Sequence, residues 1–260
     1  MPKRARTEEM LEKLGYEMSR DDDELYYASS ILPTDETSGT LALKQCEGGN
    51  FRSGADIAVF EADEATKRAA QSLMDFSEGK VDQENLEPIL ECFLPALKQS
   101  CNDEESIEIL GPTAKFELHA TTTKNEVTGK LTGLHIDNWE GKHFVNRAGR
   151  RNRISINCGR RDRYLLFFPF LVSDVIKESD EPKSRADIRA SIYDLVLKYG
   201  DQGMVRLKIP PMHCYIAPTE NIVHDGQFLN REELDITFVS LGRFSASQFR
   251  DQLNCYELVQ

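Results

Sequence analysis

Short apolar runs follow one another from about residue 107 onward, and they limit the possible folds more than any other feature of this sequence. Turn residues separate the runs, and several runs alternate apolar with polar residues and are rich in Ile, Val, Phe, Tyr and Thr. This pattern is typical of β-strands that bury one face of a sheet. The runs are "IEIL", "AKFELHATTT", "GKLTGLHID", "RISINCG", "RYLLFFPFL", "VRLKIP", "CYIAPTENIVHDG" and "LDITFVSLGRF". They predict a β-sandwich or barrel of about eight strands, consistent with a jelly roll.

The part of the chain before these runs has a helical pattern. "ADEATKRAAQSLMDFSEG" begins with acidic residues and ends in glycine, and "QENLEPILECFLPALKQSC" places apolar residues at helical spacing. We therefore predict one domain, residues 1–260, that is mainly β with an N-terminal helical layer. Residues 1–105 would be mostly helical support and 106–245 the jelly-roll core, with a helical insertion near 176–200. Residues 246–260 would form a C-terminal tail.

Charge and cysteine content restrict the partners. The net charge of −12 would repel phosphate, so we expect neither nucleic acid nor an anionic membrane as a partner. The six cysteines show no CxxC spacing, which argues against a zinc knuckle and favours free thiols in a reducing compartment. No apolar stretch is long enough to span a bilayer. These features predict a cytoplasmic protein, either a monomer or a homodimer.

Three residues have the types and order of a metal site. His135 and Asp137 lie two apart in "GLHIDNW", and strand alternation puts both side chains on one face. His224 comes late in the β-rich part, just before a turn signal in "ENIVHDG". Two histidines and one carboxylate form the facial triad of non-haem Fe(II) oxygenases. The alternative is that each is a solvated or capped residue at the end of a strand.

Four segments together resemble a known family. "HIDNW", "NRISINCGRRDRYLLFF", "YIAPTENIVHDG" and "DITFVSLGRF" are similar to the Fe(II)/2-oxoglutarate-dependent oxygenases, and most to small tailoring enzymes that act on amino acids or other small metabolites. The resemblance covers roughly residues 110–245. It implies a double-stranded β-helix of the cupin type, with Fe(II) held by His135, Asp137 and His224. It also implies that O2 oxidises a C–H bond of a small molecule by hydroxylation, desaturation or ring closure, while 2-oxoglutarate becomes succinate and CO2.

One position departs from the family pattern. In many members a basic residue about ten positions after the second histidine binds the far carboxylate of 2-oxoglutarate. Here Asp235 lies near that place, with Thr237 two residues later. A carboxylate cannot bind another carboxylate at neutral pH, because both are charged. Either the positive charge comes from elsewhere, or the cosubstrate is not 2-oxoglutarate.

The arginine-rich segment "NRAGRRNRISINCGRRDR" could supply the positive charge for the far carboxylate of 2-oxoglutarate. Arg153 is the first candidate, because a guanidinium can bind a carboxylate through two hydrogen bonds, and Asn157 shares its face of "RISIN". Alternatively, that polar face lies outside the sandwich. Arg243 is the second candidate. Hydroxyl groups of Thr237, Thr219 and Tyr164 could also contact the cosubstrate.

Three further residues are candidates for contact with the substrate. Trp139 follows Asp137 closely, His143 lies in the same loop, and His119 lies in the run "KFELHATTT". Each could equally be a packing residue. Two other functions stay open: a non-catalytic or isomerase-like cupin that binds a small molecule, and a hydroxylase that acts on proteins or peptides.

Overall fold

Two antiparallel sheets carry most of the regular structure. The strands in this computed structural model are β1 (Tyr16–Met18), β2 (Ile31–Pro33), β3 (Lys44–Gln45), β4 (Ile57–Glu61), β5 (Glu108–Lys115), β6 (Asn152–Asn157), β7 (Arg163–Phe167), β8 (Val205–Ile209), β9 (His213–Ala217), β10 (His224–Phe228), β11 (Asp235–Gly242) and β12 (Asn254–Glu257). The structure describes residues 9–14, 16–19, 31–33, 44–45, 51–52, 54–80, 86–115, 121–124, 128–137, 147, 150–176, 185–230, 232–246 and 254–257.

The larger sheet has seven strands in the order β3-β12-β4-β9-β6-β11-β5, and the smaller has three in the order β10-β7-β8. Strands β1 and β2 form a separate pair. The helices are α1 (Glu64–Ser77), α2 (Leu86–Glu91), α3 (Leu94–Ser100), α4 (Val172–Val175) and α5 (Arg185–Tyr199), and residues 9–13 are also helical. The fold is therefore mainly β with helices, as the sequence predicts.

Helices cover the outer face of the seven-stranded sheet. Ile154 and Ile156 of β6 are buried in the same apolar cluster as Leu73 of α1 and Leu97 of α3. The rings of Phe93 and Phe238 stack in this layer with centroids 4.1 Å apart. Each such buried side chain contributes about 1.5–3 kcal/mol. Because the isoleucines of β6 face the helices, its alternate polar residues face the other way, toward the three-stranded sheet.

The two sheets face each other across a second apolar cluster. Ile57 of β4 and Tyr215 of β9 belong to it from the larger sheet, and Phe167 and Leu207 from the smaller one. A third cluster covers the outer face of the smaller sheet, where Leu166 packs with α5. The predicted helical insertion near 176–200 corresponds to α5, which forms the outermost layer on that side.

The larger sheet takes strands from more of the chain than the sequence indicates. Strand β4 lies in the part predicted to be mostly helical, and β12 lies in the predicted tail, yet they pair with each other and β4 also pairs with β9. Both pairings join residues far apart in sequence, so the local pattern gives no sign of them. Among the described helices, none is both long and apolar enough to cross a lipid bilayer.

A short extended segment covers the free edge of β10. His135 pairs with His224 through two backbone hydrogen bonds of 2.8 and 3.0 Å, and Thr122 N donates to Gly226 O at 2.9 Å. Residues 121–124 and 131–137 are themselves joined, since Thr132 N donates to Thr123 O. This pairing brings the two predicted histidine ligands side by side.

Candidate metal centre

His135, Asp137 and His224 form a buried group that could hold a metal ion. They offer ligand atoms that all lie within 4.8 Å of one another. Asp137 lies between the two rings: its Oδ1 is 3.5 Å from Nε2 of His135, and its Oδ2 is 3.7 Å from Nε2 of His224. The side chains are 10%, 7% and 2% exposed, so water competes little for these atoms. The structure thus brings together the three residues predicted as metal ligands.

The outward nitrogen of each ring is held by the backbone. His135 Nδ1 is 2.8 Å from Gly133 O, and His224 Nδ1 is 3.2 Å from Ile222 O. A carbonyl can only accept, so each Nδ1 carries a proton, and Nε2 is the nitrogen of each ring that is left to coordinate a metal. Both Nε2 atoms are buried without a hydrogen-bond partner. Two orphaned imidazole nitrogens beside one carboxylate fit a divalent cation with open coordination positions.

Two arginines hold Asp137. Arg153 Nη2 donates to Asp137 Oδ2 at 2.6 Å, and Arg147 Nη1 donates to Asp137 O at 2.7 Å and to Glu220 O. Asp137 N donates to Thr219 O at 3.1 Å. Burial raises the pKa of Asp137, but the Arg153 guanidinium and the two imidazoles outweigh it and hold that pKa well below the usual value. The carboxylate is therefore ionised and fixed in orientation.

The two histidines have opposite electrostatic surroundings. Burial lowers the pKa of His135, but the Asp137 and Asp225 carboxylates outweigh burial and raise it to about 10. Burial, with the neighbouring charge of His135, lowers the pKa of His224 to about 4. A metal ion at this centre would displace a proton from His135, because only a neutral ring coordinates.

A row of polar residues runs away from the triad on the face of β6 that is turned toward the smaller sheet. On β6, Arg153 pairs with Leu241 at the triad end, and Asn157 pairs with Thr237 at the other end. Ser155 lies between them, and its buried hydroxyl has no hydrogen-bond partner. The polar face of "RISIN" thus lies inside the sandwich, contrary to the alternative that puts it outside.

A second buried arginine lies beyond the far end of this polar row, close to the Asn157–Thr237 pair. Arg163 of β7 faces Asp235 of β11, with Nε 3.2 Å from Oδ1 and Nη2 3.3 Å from Oδ2. Both side chains are almost fully buried, at 8% and 4% exposed. Gly226 leaves room for this pair, since a Cβ there would lie 2.9 Å from Arg163 Nη2. The structure therefore supplies a cation directly beside the unexpected aspartate.

Other predicted cosubstrate residues have different surroundings. Asn157 Nδ2 donates to the carbonyls of Arg161 and Ile209, both at 2.9 Å, so backbone contacts occupy its amide. Thr237 Oγ1 is 2.6 Å from Thr113 Oγ1, whereas the buried hydroxyl of Thr219 has no hydrogen-bond partner.

Two of the predicted residues lie away from the space between the sheets. Tyr164 packs with the apolar cluster on the outer face of the smaller sheet, and Arg206 lies over its ring. Arg243 is 57% exposed and lies 4.0 Å from Asp103 at the surface. The candidate substrate residues Trp139, His119 and His143 lie outside the described residues.

Sequence reasoning did not single out Arg163, Arg147 or Asp225. Arg163 begins a strand, "RYLLF", that is otherwise apolar or aromatic, and a charge at the start of such a strand is the one available signal. Asp225 follows His224 directly and reads as a turn residue, although the structure buries it completely. Comparison with known proteins found no family model, no curated protein and no solved structure that matches this chain.

Proposed function

We propose that this protein is an Fe(II)- and 2-oxoglutarate-dependent oxygenase that oxidises a C–H bond of a small metabolite, such as an amino acid or a natural-product intermediate. The observation that carries the proposal is the pair of buried, unpartnered Nε2 atoms beside the Asp137 carboxylate. Such a set leaves coordination positions free for a cosubstrate and O2. Bound Fe(II) and 2-oxoglutarate would supply the oxidation, with release of succinate and CO2. The four sequence segments that resemble this family support the same activity.

The proposal includes a jelly-roll core. Eight segments divide between the facing sheets: β5, β6, β9 and β11 belong to the larger sheet, whereas β7, β8, β10 and the neighbouring residues 131–137 lie on the side of the smaller one. We assign them to a double-stranded β-helix whose open end carries the triad. The backbone pairing between His135 and His224 supports the assignment, because it makes residues 131–137 a neighbour of β10 in the smaller sheet.

In this proposal Arg163 binds the far carboxylate of 2-oxoglutarate. In the β10–β7 pair, His224 is opposite Phe167 and Phe228 is opposite Arg163. Four residues of strand separate these positions, which is about 13 Å. We place the cosubstrate cavity between the two sheets along the polar row of β6, so Arg163 begins well inside it and its side chain extends from there. Its Nε and Nη2 face Asp235, so Nη1 is the group left for a ligand.

Arg153 has a different role in this proposal. Its guanidinium holds Oδ2 of Asp137 at 2.6 Å, at the triad end of the cavity. A charge-assisted hydrogen bond of this length fixes the carboxylate plane and leaves Oδ1 to coordinate. Arg153 therefore positions a metal ligand, and it can contact the near end of the cosubstrate but not the far end.

The test measures succinate formed from 2-oxoglutarate by the Fe(II)-loaded protein in the presence of O2, with or without substrate. Alanine at His135, Asp137 or His224 should lower the rate at least about 100-fold, because each removes a ligand of the metal. His213→Ala is the matched control, since this histidine binds a backbone carbonyl at the start of β9 and lies outside the triad. Wild-type protein that binds Fe(II) but forms no succinate would refute the oxygenase, as would full activity in any triad variant.

The Arg163–Asp235 pair favours one other candidate. If Asp235 permanently neutralises Arg163, the cavity lacks a free cation for a dicarboxylate, and a metal-dependent cupin isomerase or binding protein becomes the better interpretation. Calorimetric titration of the Mn(II)-loaded protein with 2-oxoglutarate separates the two. Binding supports the oxygenase, whereas metal binding without 2-oxoglutarate binding supports the cupin.

A further inference from the structure

Asp225 uses its two carboxylate oxygens for two different purposes. Oδ1 accepts hydrogen bonds from three backbone groups and one hydroxyl: Gly226 N at 2.6 Å, Thr123 N at 3.0 Å, Thr122 N at 3.3 Å and Thr123 Oγ1 at 2.7 Å. Oδ2 accepts none of these and is buried without a hydrogen-bond partner. It lies 3.6 Å from Nδ1 of His135.

This second oxygen lies behind a metal-ligand ring. Within the described residues, His135 Nδ1 has two oxygens near it, Gly133 O at 2.8 Å and Asp225 Oδ2 at 3.6 Å. His224 Nδ1 has a backbone carbonyl at 3.2 Å. A buried carboxylate oxygen without a donor is costly, and the Nδ1–H group of His135, 3.6 Å away and hydrogen-bonded to Gly133 O, offsets that cost by electrostatic attraction and not by a hydrogen bond. Because Nδ1 carries this proton, Nε2 is the nitrogen left to coordinate a metal beside the other two ligands.

We propose that Asp225 is a positioning residue of the metal centre: through Nδ1 it fixes the ring orientation and tautomer of His135, while its other oxygen fixes the 121–124 segment beside β10. The inference rests on the proposed metal site but not on the identity of the cosubstrate. Carboxylates placed behind a ligating imidazole raise the basicity of the ligand, and their loss typically costs about 10–100-fold in metal affinity.

Asp225→Asn is the informative substitution, because it separates the two oxygens. Three backbone N–H groups surround Oδ1, so the amide oxygen of Asn must take that place. The amide NH2 then faces His135 Nδ1, so that two hydrogen-bond donors point at each other. The hydrogen bonds that hold residues 121–124 are kept. Only the group that faces the His135 ring changes, from an acceptor to a donor.

Thr123→Val is the matched control on the other oxygen. It removes the 2.7 Å hydrogen bond to Oδ1 and leaves Oδ2 and the ring of His135 untouched. If Asp225 acted only by holding the 121–124 segment, this variant would weaken metal binding as well. Both variants are titrated with Co(II) against a chromophoric chelator, and the visible absorption of bound Co(II) is recorded.

Asp225→Asn should bind Co(II) about 10–100-fold more weakly than wild type and with a shifted visible spectrum, while Thr123→Val should stay within about threefold and keep the wild-type spectrum. An Asp225→Asn variant with wild-type affinity and spectrum would overturn the inference and leave the metal centre standing. Equal weakening in both variants would also overturn it. Wild-type protein that binds no Co(II) would remove the metal centre itself, and the inference with it.

Discussion

At the scale of single residues, two buried arginines place positive charge at two separate points between the sheets. Arg153 contacts Asp137 at the triad end, and Arg163 contacts Asp235 at the far end. The sequence places Arg153 on the polar face of its strand but leaves the direction of that face open. The helices decide it, because they bury Ile154 and Ile156 on the other side. A cosubstrate with two carboxylates would therefore meet one cation near each end.

The Arg163–Asp235 pair leads to a prediction about the affinity for 2-oxoglutarate. A carboxylate bound to Arg163 would repel Asp235 by as much as about 4 kcal/mol at 4 Å in an effective dielectric of about 20. Asp235→Asn removes this repulsion and keeps Arg163, so 2-oxoglutarate should bind the Mn(II)-loaded protein at least about tenfold more tightly. Calorimetric titration of wild type and variant measures the change.

The double variant Arg163→Met with Asp235→Asn tests whether Arg163 binds the far carboxylate of 2-oxoglutarate. It removes the guanidinium without leaving an unpaired charge in the cavity. Charge-assisted hydrogen bonds contribute about 1.5–3 kcal/mol each, so 2-oxoglutarate should bind at least about tenfold more weakly than to Asp235→Asn alone. Equal affinity in the double and single variants would exclude Arg163 as the residue that binds the far carboxylate.

At the scale of elements, β10 joins every part of the candidate site. This five-residue strand begins with the ligand His224, continues with Asp225 behind the second ligand, and reaches Gly226, where Thr122 and Arg163 fill the space of a missing side chain. One edge pairs with β7, and the other pairs with the segment that carries His135. One strand thus positions both the candidate metal centre and the guanidinium of Arg163.

Gly226→Ala tests this dependence. The new Cβ would lie 2.4 Å from Thr122 Oγ1 and 2.9 Å from Arg163 Nη2, and both distances are below any ordinary contact. Overpacking of this kind costs about 1–3 kcal/mol, so the free energy of unfolding in urea should fall by that amount. Binding of 2-oxoglutarate should weaken more than binding of Mn(II), because the new methyl group displaces the Arg163 guanidinium, which is proposed to bind 2-oxoglutarate.

A second substitution separates the two contacts. Thr122→Ala with Gly226→Ala removes the oxygen at 2.4 Å but keeps the clash with Arg163. It should recover part of the lost stability and none of the lost 2-oxoglutarate affinity. Full recovery of cosubstrate binding would contradict the placement of Arg163 in the cavity.

At the scale of the whole molecule, features formed by residues close together in the sequence can be predicted, whereas contacts between residues far apart in the sequence cannot. Local periodicity predicts the β-rich part, α1 and α5, and residue type with order predicts the triad. The pairing of β12 with β4 joins residues almost two hundred positions apart, and Arg163 meets Asp235 across seventy-two. No local pattern encodes such contacts, because they depend on which strands become neighbours. The three residues of the candidate metal centre could be picked out from the sequence, whereas the residues that contact them could not.

The arrangement of layers leads to a prediction about metal and stability. The triad lies on residues 131–137 and β10, while Arg153 reaches Asp137 from β6 in the opposite sheet. A metal ion held there would bind the folded chain and not the unfolded one. At a free concentration about 100 times its Kd, it should stabilise the fold by about 2.7 kcal/mol.

For a chain of this size, that stabilisation corresponds to a rise in Tm of about 5–10 °C. Thermal unfolding followed by circular dichroism, with and without Mn(II), measures it, and a chelator should reverse it. His224→Ala should show no rise, whereas His213→Ala should respond like wild type. A comparable rise in His224→Ala would mean that Mn(II) stabilises the protein by binding elsewhere, because this variant lacks one of the three proposed ligands.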